Sequence, residues 1–181
     1  DVTAEVTPHH LALGTELLLG YDPVYKVNPP LRPDEDRAAI LAALVDGTID
    51  AVATDHAPHA RHDKEHAFPD AAFGMLGLET ALGVLAEVAV RPGLITWAQL
   101  ADRMSVAPAR IAGLSGHGRP IEAGEPANLV LVDPDAAWTV DRAASHSLSR
   151  NNPWHGRLLT SHVVHTLYGG RVTVRDGALT G

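Results

Sequence analysis

Val2, Ala4 and Val6 alternate with Thr3, Glu5 and Thr7, the two-residue period of a short strand, and Pro8 ends it with His9 and His10 directly behind. A helical period takes over downstream. Pro33 at a first helical position, Asp34, Glu35 and Asp36 at the positive end of the helix dipole, and Ile40, Leu41 and Leu44 on one face predict a helix from Pro33 to about Val45, stopped by Gly47. Ile49 to Thr54 is a β-leaning run bounded by turn residues, and it delivers Asp55 at its C-terminal end. Helix followed by strand is the repeating unit of an α/β fold. Residues 57–77 hold too many Gly, Pro, His and charged side chains for a regular element and predict a long loop, a kind of segment that is often functional.

Leu78, Ala81, Leu82, Leu85, Val88 and Ala89 return to helical spacing, up to Arg91-Pro92-Gly93. Thr96-Trp97-Ala98-Gln99 is a capping-box pattern that opens another helix, and Pro108 opens a last short one closed by Gly113. Beyond residues 114–118 the pattern turns to β. Asn128 to Val132 contains a buried-looking strand, and the runs Val163 to Tyr168 and Arg171 to Arg175 flank Gly169-Gly170, a two-residue hairpin signal. The chain therefore divides into an α/β part, residues 1–115, and a mostly β part, residues 116–181. It contains no internal repeat.

With 45% apolar and 20% charged residues among 181, the composition is that of an ordinary globular protein. Fourteen Lys and Arg against 22 Asp and Glu give a net charge of −8, and no basic cluster stands out, which argues against nucleic-acid binding. The longest apolar stretch, Ala81 to Val90, is interrupted by Glu87 and is far short of the roughly 20 residues of a membrane span. Without cysteine, any metal site must use His, Asp, Glu or a modified side chain. The opening Asp1-Val2-Thr3 has neither an initiator Met nor a signal-type segment, and reads as the middle of a domain.

Asp55 is the leading candidate for chemistry. An Asp just past the end of an α/β strand stands where such folds place reactive groups, and His56, Pro58 and His59 follow it. A carboxylate there can ligate a metal or shuttle a proton; the alternative is an Asp that braces a loop, with solvated histidines around it. Asn28 precedes Pro29-Pro30, which hold the backbone extended and aim an amide with both donors and an acceptor; the alternative is a proline turn. Phe73-Gly74 can bring backbone groups close to a ligand because Gly has no Cβ, or can be a simple turn. His9 and His10 are candidate metal ligands by type, but on a strand they would point to opposite sides, so that at most one faces a given site and one is structural. His117, His146, His155, His162 and His165 show no spacing tied to chemistry and read as surface or satisfied side chains.

Five segments in this order and spacing resemble the motifs of dihydroorotases, members of the amidohydrolase superfamily. They are Glu5-Val6-Thr7-Pro8-His9-His10, Lys26-Val27-Asn28-Pro29-Pro30-Leu31-Arg32, Asp46-Gly47-Thr48-Ile49-Asp50, Thr54-Asp55-His56-Ala57-Pro58-His59, and the run from Phe73-Gly74 to Glu79-Thr80. Pro108-Ala109-Arg110 and the stretch from Gly124 to Pro134 resemble the closing region of the superfamily, less specifically. The resemblance implies the C-terminal part of a metal-dependent (β/α)8 barrel plus a small β domain. Asp1 to Thr7 would be the seventh barrel strand, Asp55 would end the eighth, and the residues after about 115 would complete the β domain.

The same resemblance implies Asp55 as catalytic acid/base and metal ligand, and Asn28, His59, Phe73 and Gly74 as substrate contacts. It gives His9 and His10 no ligand role. One or two Zn2+ ions would be the cofactor, with the remaining ligands on strands absent here. The implied reaction is the reversible cyclisation of N-carbamoyl-L-aspartate to dihydroorotate in pyrimidine synthesis, in the cytoplasm. A homodimer and aspartate transcarbamoylase are the implied protein partners. Alternatives are another cyclic amidohydrolase, an allantoinase or a dihydropyrimidinase (hydantoinase), and a non-catalytic scaffold. The chain alone, as a fragment, is expected to be inactive and aggregation-prone.

Overall fold

In strand β1 (Glu5–Val6) the alternation seen along Val2 to Thr7 survives only where a partner exists: β1 pairs in parallel with β2 (Ala51–Val52) in the register Glu5↔Ala51 and Val6↔Val52. The structure is a computed structural model and describes residues 2–180; Asp1, the first residue of the expected strand, and Gly181, the last of the expected β part, lie outside the described residues. The strand does not continue into the histidines. Thr7 accepts a hydrogen bond from the His10 N–H, Pro8 occupies the first helical turn, and the short helix α1 (Pro8–Ala12) follows. A Thr-Pro pair serves as helix cap as readily as strand end. His9 and His10 thus sit on a helical turn with ring centroids 4.5 Å apart, rather than on opposite faces of a strand.

Helix α2 (Asp34–Asp46) forms close to where its pattern places it, with Pro33 as the cap and Gly47 ending it at φ 90°, a left-handed conformation that suits glycine. Its return leads into β2. The expected loop over residues 57–77 contains one helical turn, α3 (Arg61–Lys64). The next helix begins as α4 (Ala81–Leu85) and continues as a π-helical turn, Ala86–Val90. The Thr96–Gln99 capping box is present in full, and α5 (Trp97–Ala101) starts from it. Pro108 does not open a separate helix. The chain stays helical through a π turn, Asp102–Val106, into α6 (Ala107–Ile111), because the wider turn absorbs the backbone bond that a proline cannot make.

Two apolar clusters hold these elements. One gathers Val6, Leu11, Leu44, Val52, Leu85, Ala89, Ile95 and Leu100, and so surrounds the β1-β2 pair. The other gathers Leu13, Val27, Leu31, Met75, Val84, Val140, Trp154 and Leu159. Helix α1 with the residue that caps it, Leu11 and Leu13, and helix α4, Leu85 and Val84, give near neighbours to both, which ties the two clusters together.

The later part of the chain contains β3 (Leu129–Asp133), β4 (Trp138–Thr139), β5 (Leu158–Leu159), β6 (His162–Tyr168), β7 (Arg171–Arg175) and β8 (Ala178–Leu179). An antiparallel sheet runs in the order β3-β6-β7-β8, with the Gly169-Gly170 hairpin between β6 and β7, while β4 and β5 pair separately. Val140, Trp154 and Leu159 bring residues around β4 and β5 back onto the second cluster. Only two parallel strands occur among the described residues, so the fold is α/β without a closed barrel. Among the described residues no helix is long and apolar enough to cross a membrane.

His9 is 2% exposed and its Nε2 has no hydrogen-bond partner. Burial, reinforced by the neighbouring His10, holds its pKa down at about 3. The folded protein therefore keeps His9 neutral while the unfolded chain takes up a proton near pH 6.5, so stability is lost as pH falls between those values. In urea unfolding of the protein that carries this chain, His9→Leu is predicted to reduce the stability lost between pH 7 and pH 4 by roughly 3 kcal/mol. Identical pH dependence in variant and parent would contradict the assignment.

Candidate active site

The C-terminal end of β2 turns sharply. Asp55 has φ 47°, a left-handed conformation that Asp tolerates better than most residues, and its side chain is exposed beyond the strand end. His56 then forms a parallel bridge with Met75, and the Ala57 N–H donates to the Met75 carbonyl at 2.9 Å. The Gly77 and Leu78 N–H groups donate to His56 Nδ1 at 3.1 and 3.3 Å, which places the neutral ring's proton on Nε2. His56 is thereby a brace between two loops. Gly77 is required here, because a Cβ would lie 2.9 Å from the Thr54 carbonyl oxygen.

This pairing carries His59 to the Phe73–Gly74 segment. His59 Nε2 lies 2.8 Å from the Phe73 carbonyl oxygen, which only accepts, so Nε2 carries the proton and Nδ1 is left for another partner. Gly74 has φ 125°, and a Cβ on it would stand 2.5 Å from the Ala57 Cβ and 3.1 Å from His59 Nε2. Only glycine fits that space. Phe73 is exposed, with its ring over the Lys26 ammonium at 4.4 Å. The structure thus brings together three of the residues singled out from sequence: His59, Phe73 and Gly74.

Asn28 is exposed and connects to this group through its own segment, since the Lys26 carbonyl accepts from the Gly74 N–H at 2.8 Å. The Asn28-Pro29 peptide is cis. The Pro29 carbonyl accepts from His10 Nε2 at 2.9 Å, while Thr7 Oγ1 lies 2.7 Å from His10 Nδ1. Both His10 nitrogens are engaged, and His10 is structural.

Three residues of this assembly escaped the sequence reading as side chains with a role. Asn151 Nδ2 donates to the Ala57 and Gly74 carbonyls, and its backbone carbonyl accepts from Leu76. Lys26 Nζ donates to the carbonyls of Pro69 and Ala71, and Lys64 Nζ to those of Ala72 and Gly74. Burial and the neighbouring Lys26 push the Lys64 ammonium down to about 8, against a smaller opposing effect of Asp22. A cleft of about 420 Å³ opens beside this assembly, lined by His59, Lys64, Arg142, Arg150 and Asn151 among others. Its lining is polar and mixed in charge, with the carboxylates of Asp22 and Glu65 beside the cations.

Among the described residues no three His, Asp or Glu side chains gather as a metal-ligand group. Asp55 is an exposed oxygen donor and fits one corner of such a site, whereas zinc takes three or four protein ligands. The donor set of this chain is therefore partial. Of the other histidines, His155 and His165 accept from the backbone N–H groups of Arg142 and Asp176, as satisfied side chains.

Comparison with known proteins places this geometry. The chain is 58% identical over 180 residues to a protein of Streptomyces coelicolor named dihydroorotase, covering 99% of this chain and 42% of that protein. A dihydroorotase of Mycobacterium tuberculosis is 54% identical over 179 residues, with the same coverage of each. Among solved structures, the L-hydantoinase (dihydropyrimidinase) of Arthrobacter aurescens superposes with a TM-score of 0.92 at 31% identity, covering 100% of this chain and 41% of that one. The chain thus spans about two fifths of the length of the curated relatives it matches. The model of the amidohydrolase family matches residues 26–173, a stretch that includes Asn28, Asp55, His59, Phe73 and Gly74, and the chain belongs to the amidohydrolase family.

Proposed function

We propose that this chain supplies the acid/base carboxylate and part of the substrate-binding wall of a dihydroorotase, which interconverts N-carbamoyl-L-aspartate and dihydroorotate. The observation that carries the reading is the identity, up to 58%, to proteins named dihydroorotase across 99% of the chain. The convergence of His59, Phe73 and Gly74 agrees with it. In this reading residues 1–115 belong to the C-terminal part of the barrel and residues 116–181 to the small β domain. The cofactor is one or two Zn2+ ions, with Asp55 as one ligand and the others on parts of the protein outside this chain. The setting is cytoplasmic, and the protein partners are a second copy or aspartate transcarbamoylase.

In the hydrolytic direction water adds to the ring amide carbonyl and the ring nitrogen leaves with a proton. Bound metal supplies Lewis-acid and water-activating chemistry. Asp55, exposed at the strand end, accepts the proton released by the attacking water and returns it to the leaving nitrogen. Asn28 offers both donors and an acceptor to the carbonyl and N–H groups of the substrate, and the Phe73–Gly74 backbone, held by its internal hydrogen bonds, forms the wall beside it. His59, its Nε2 proton directed at Phe73, presents Nδ1 as an acceptor when neutral and a donor when protonated. Holding the substrate at both ends converts the attack into an oriented, effectively intramolecular event.

In the protein that carries this chain, Asp55→Asn is predicted to lower kcat for dihydroorotate hydrolysis by about 10³-fold, while the fold is kept because Asn has nearly the same volume and tolerates the left-handed backbone at this position. Wild-type turnover in the variant would sink the assignment. Similarity to the hydantoinase fold makes a second substrate class specific enough to test. Assayed against dihydroorotate, hydantoin, dihydrouracil and allantoin, the enzyme is predicted to turn over dihydroorotate; turnover of only the other three would overturn the reading. The isolated 181-residue chain is predicted to be inactive, since it holds one metal ligand of the set required. Dihydroorotate hydrolysis by a soluble monomer of it would contradict this.

A further inference from the structure

Lys26 and Lys64 are each 7% exposed, among the least accessible polar groups of the chain. Lysine is rarely buried without a carboxylate, because removing an ammonium from water is expensive. Neither forms an ion pair among the described residues. Their compensation comes from main-chain carbonyls. Lys26 Nζ reaches Pro69 O at 2.7 Å and Ala71 O at 2.6 Å; Lys64 Nζ reaches Ala72 O and Gly74 O, both at 2.9 Å, and Lys26 O at 3.5 Å. With His59 on Phe73 O, every carbonyl from Ala71 to Gly74 takes a bond from a side chain.

A loop needs one donor per buried carbonyl, and neutral side chains or water can supply it. Two cations side by side are an unusual choice, and they are gathered under one short segment. Hydrogen bonds from charged donors are about twice as strong as neutral ones, and low dielectric strengthens them further. The segment is thereby gripped from two sides: the lysines hold the Ala71, Ala72 and Gly74 carbonyls and Lys26 also lies under the Phe73 ring, while His59 holds the Phe73 carbonyl. The Lys26 carbonyl also joins the two groups, since it accepts from both Gly74 N–H and Lys64 Nζ, two residues before Asn28.

From this geometry we propose that Lys64, backed by Lys26, is a positioning residue that sets the Phe73–Gly74 backbone and the Asn28 segment in register for substrate. It acts through the loop, without touching the reacting atoms. The proposal rests on the dihydroorotase reading for the identity of that substrate. A group that only shapes the binding wall contributes equally to ground state and transition state, so its loss raises KM and spares kcat. A merely structural lysine would instead lower the amount of folded enzyme, with KM of the folded fraction unchanged.

The test is steady-state kinetics of Lys64→Met in the full-length protein with dihydroorotate, together with hydrogen exchange of the peptide covering 69–77. KM is expected to rise about tenfold or more with kcat held within about threefold, and exchange in 69–77 to accelerate while α2 is unaffected. An unchanged KM, or a kcat that falls by the same factor as KM rises, overturns the proposal. Should the methionine variant not fold, Lys64→Arg keeps a cation but presents its donors only in the plane of a longer, bulkier fork, which does not reproduce the compact ammonium between Ala72 O and Gly74 O. Its KM is expected to rise at least about threefold at full kcat, and a wild-type KM overturns the proposal. A folded parent enzyme without dihydroorotase activity strikes the functional reading instead, and exchange in 69–77 then decides the loop clamp alone: acceleration in either variant upholds it, and no change overturns it.

Discussion

The structure depends on the pairing of the chain just after β2 with the chain just before α4. His56 bridges Met75, Ala57 donates to Met75, and Gly77 and Leu78 donate to the His56 ring. Two segments about twenty residues apart are thereby held side by side at the strand end that carries Asp55. Everything argued about the site follows from that contact: His59 can reach Phe73, Gly74 can lie against Ala57, and Asn151 can bind both Ala57 O and Gly74 O. Such a contact needs small residues at its closest points, and glycine stands at 74 and 77.

Hydrophobic burial supplies the platform and polar contacts supply the geometry. Leu13, Leu44, Met75 and Leu85 are fully buried, and α1 and α4 share residues between the two apolar clusters, which fixes where β1 and β2 end. Non-directional burial alone does not set the path of a loop. The loop before α4 is set by donors to its carbonyls, from lysines on one side and His59 and Asn151 on the other. Asn151 joins from a distant part of the sequence, near Trp154 of the second cluster, so the later residues are built into the wall of the site.

Local signals were the legible ones. The acidic first turn and terminal glycine of α2, the Thr96–Gln99 box and the Gly169-Gly170 hairpin all depend on residues within a few positions of each other, and all form as read. A strand ahead of Asp55 was legible for the same reason, although the expected run from Ile49 to Thr54 pairs only at Ala51 and Val52 and ends three residues before Asp55. What escaped depends on distant partners. A two-residue period over Val2 to Thr7 does not say that only Glu5 and Val6 find a parallel partner, nor that Thr7 caps a helix bearing both histidines. Lys26 and Lys64 carry no pattern because their partners are main-chain oxygens, which every residue has. The π turns before Arg91 and Pro108 are small adjustments to packing that hydrophobic spacing does not resolve.

Fold similarity and sequence identity bear on different questions in this family. A hydantoinase shares the backbone at a TM-score of 0.92, so the scaffold is common to enzymes named for different cyclic amides, and what distinguishes them has to lie in the walls. In the proposed reading the Gly74 backbone, pressed against Ala57 and His59, forms the wall that dihydroorotate meets. Gly74→Ala in the full-length protein tests it most directly, because the added methyl meets Ala57 at 2.5 Å on a backbone of φ 125°. The expected result is a fall in kcat/KM for dihydroorotate of about 100-fold or more, the consequence of a roughly ångström-scale displacement at the site, while α2 and the β3-β6-β7-β8 sheet keep their protection from hydrogen exchange. A kcat/KM within about twofold of the parent, an effect under half a kcal/mol, would contradict it.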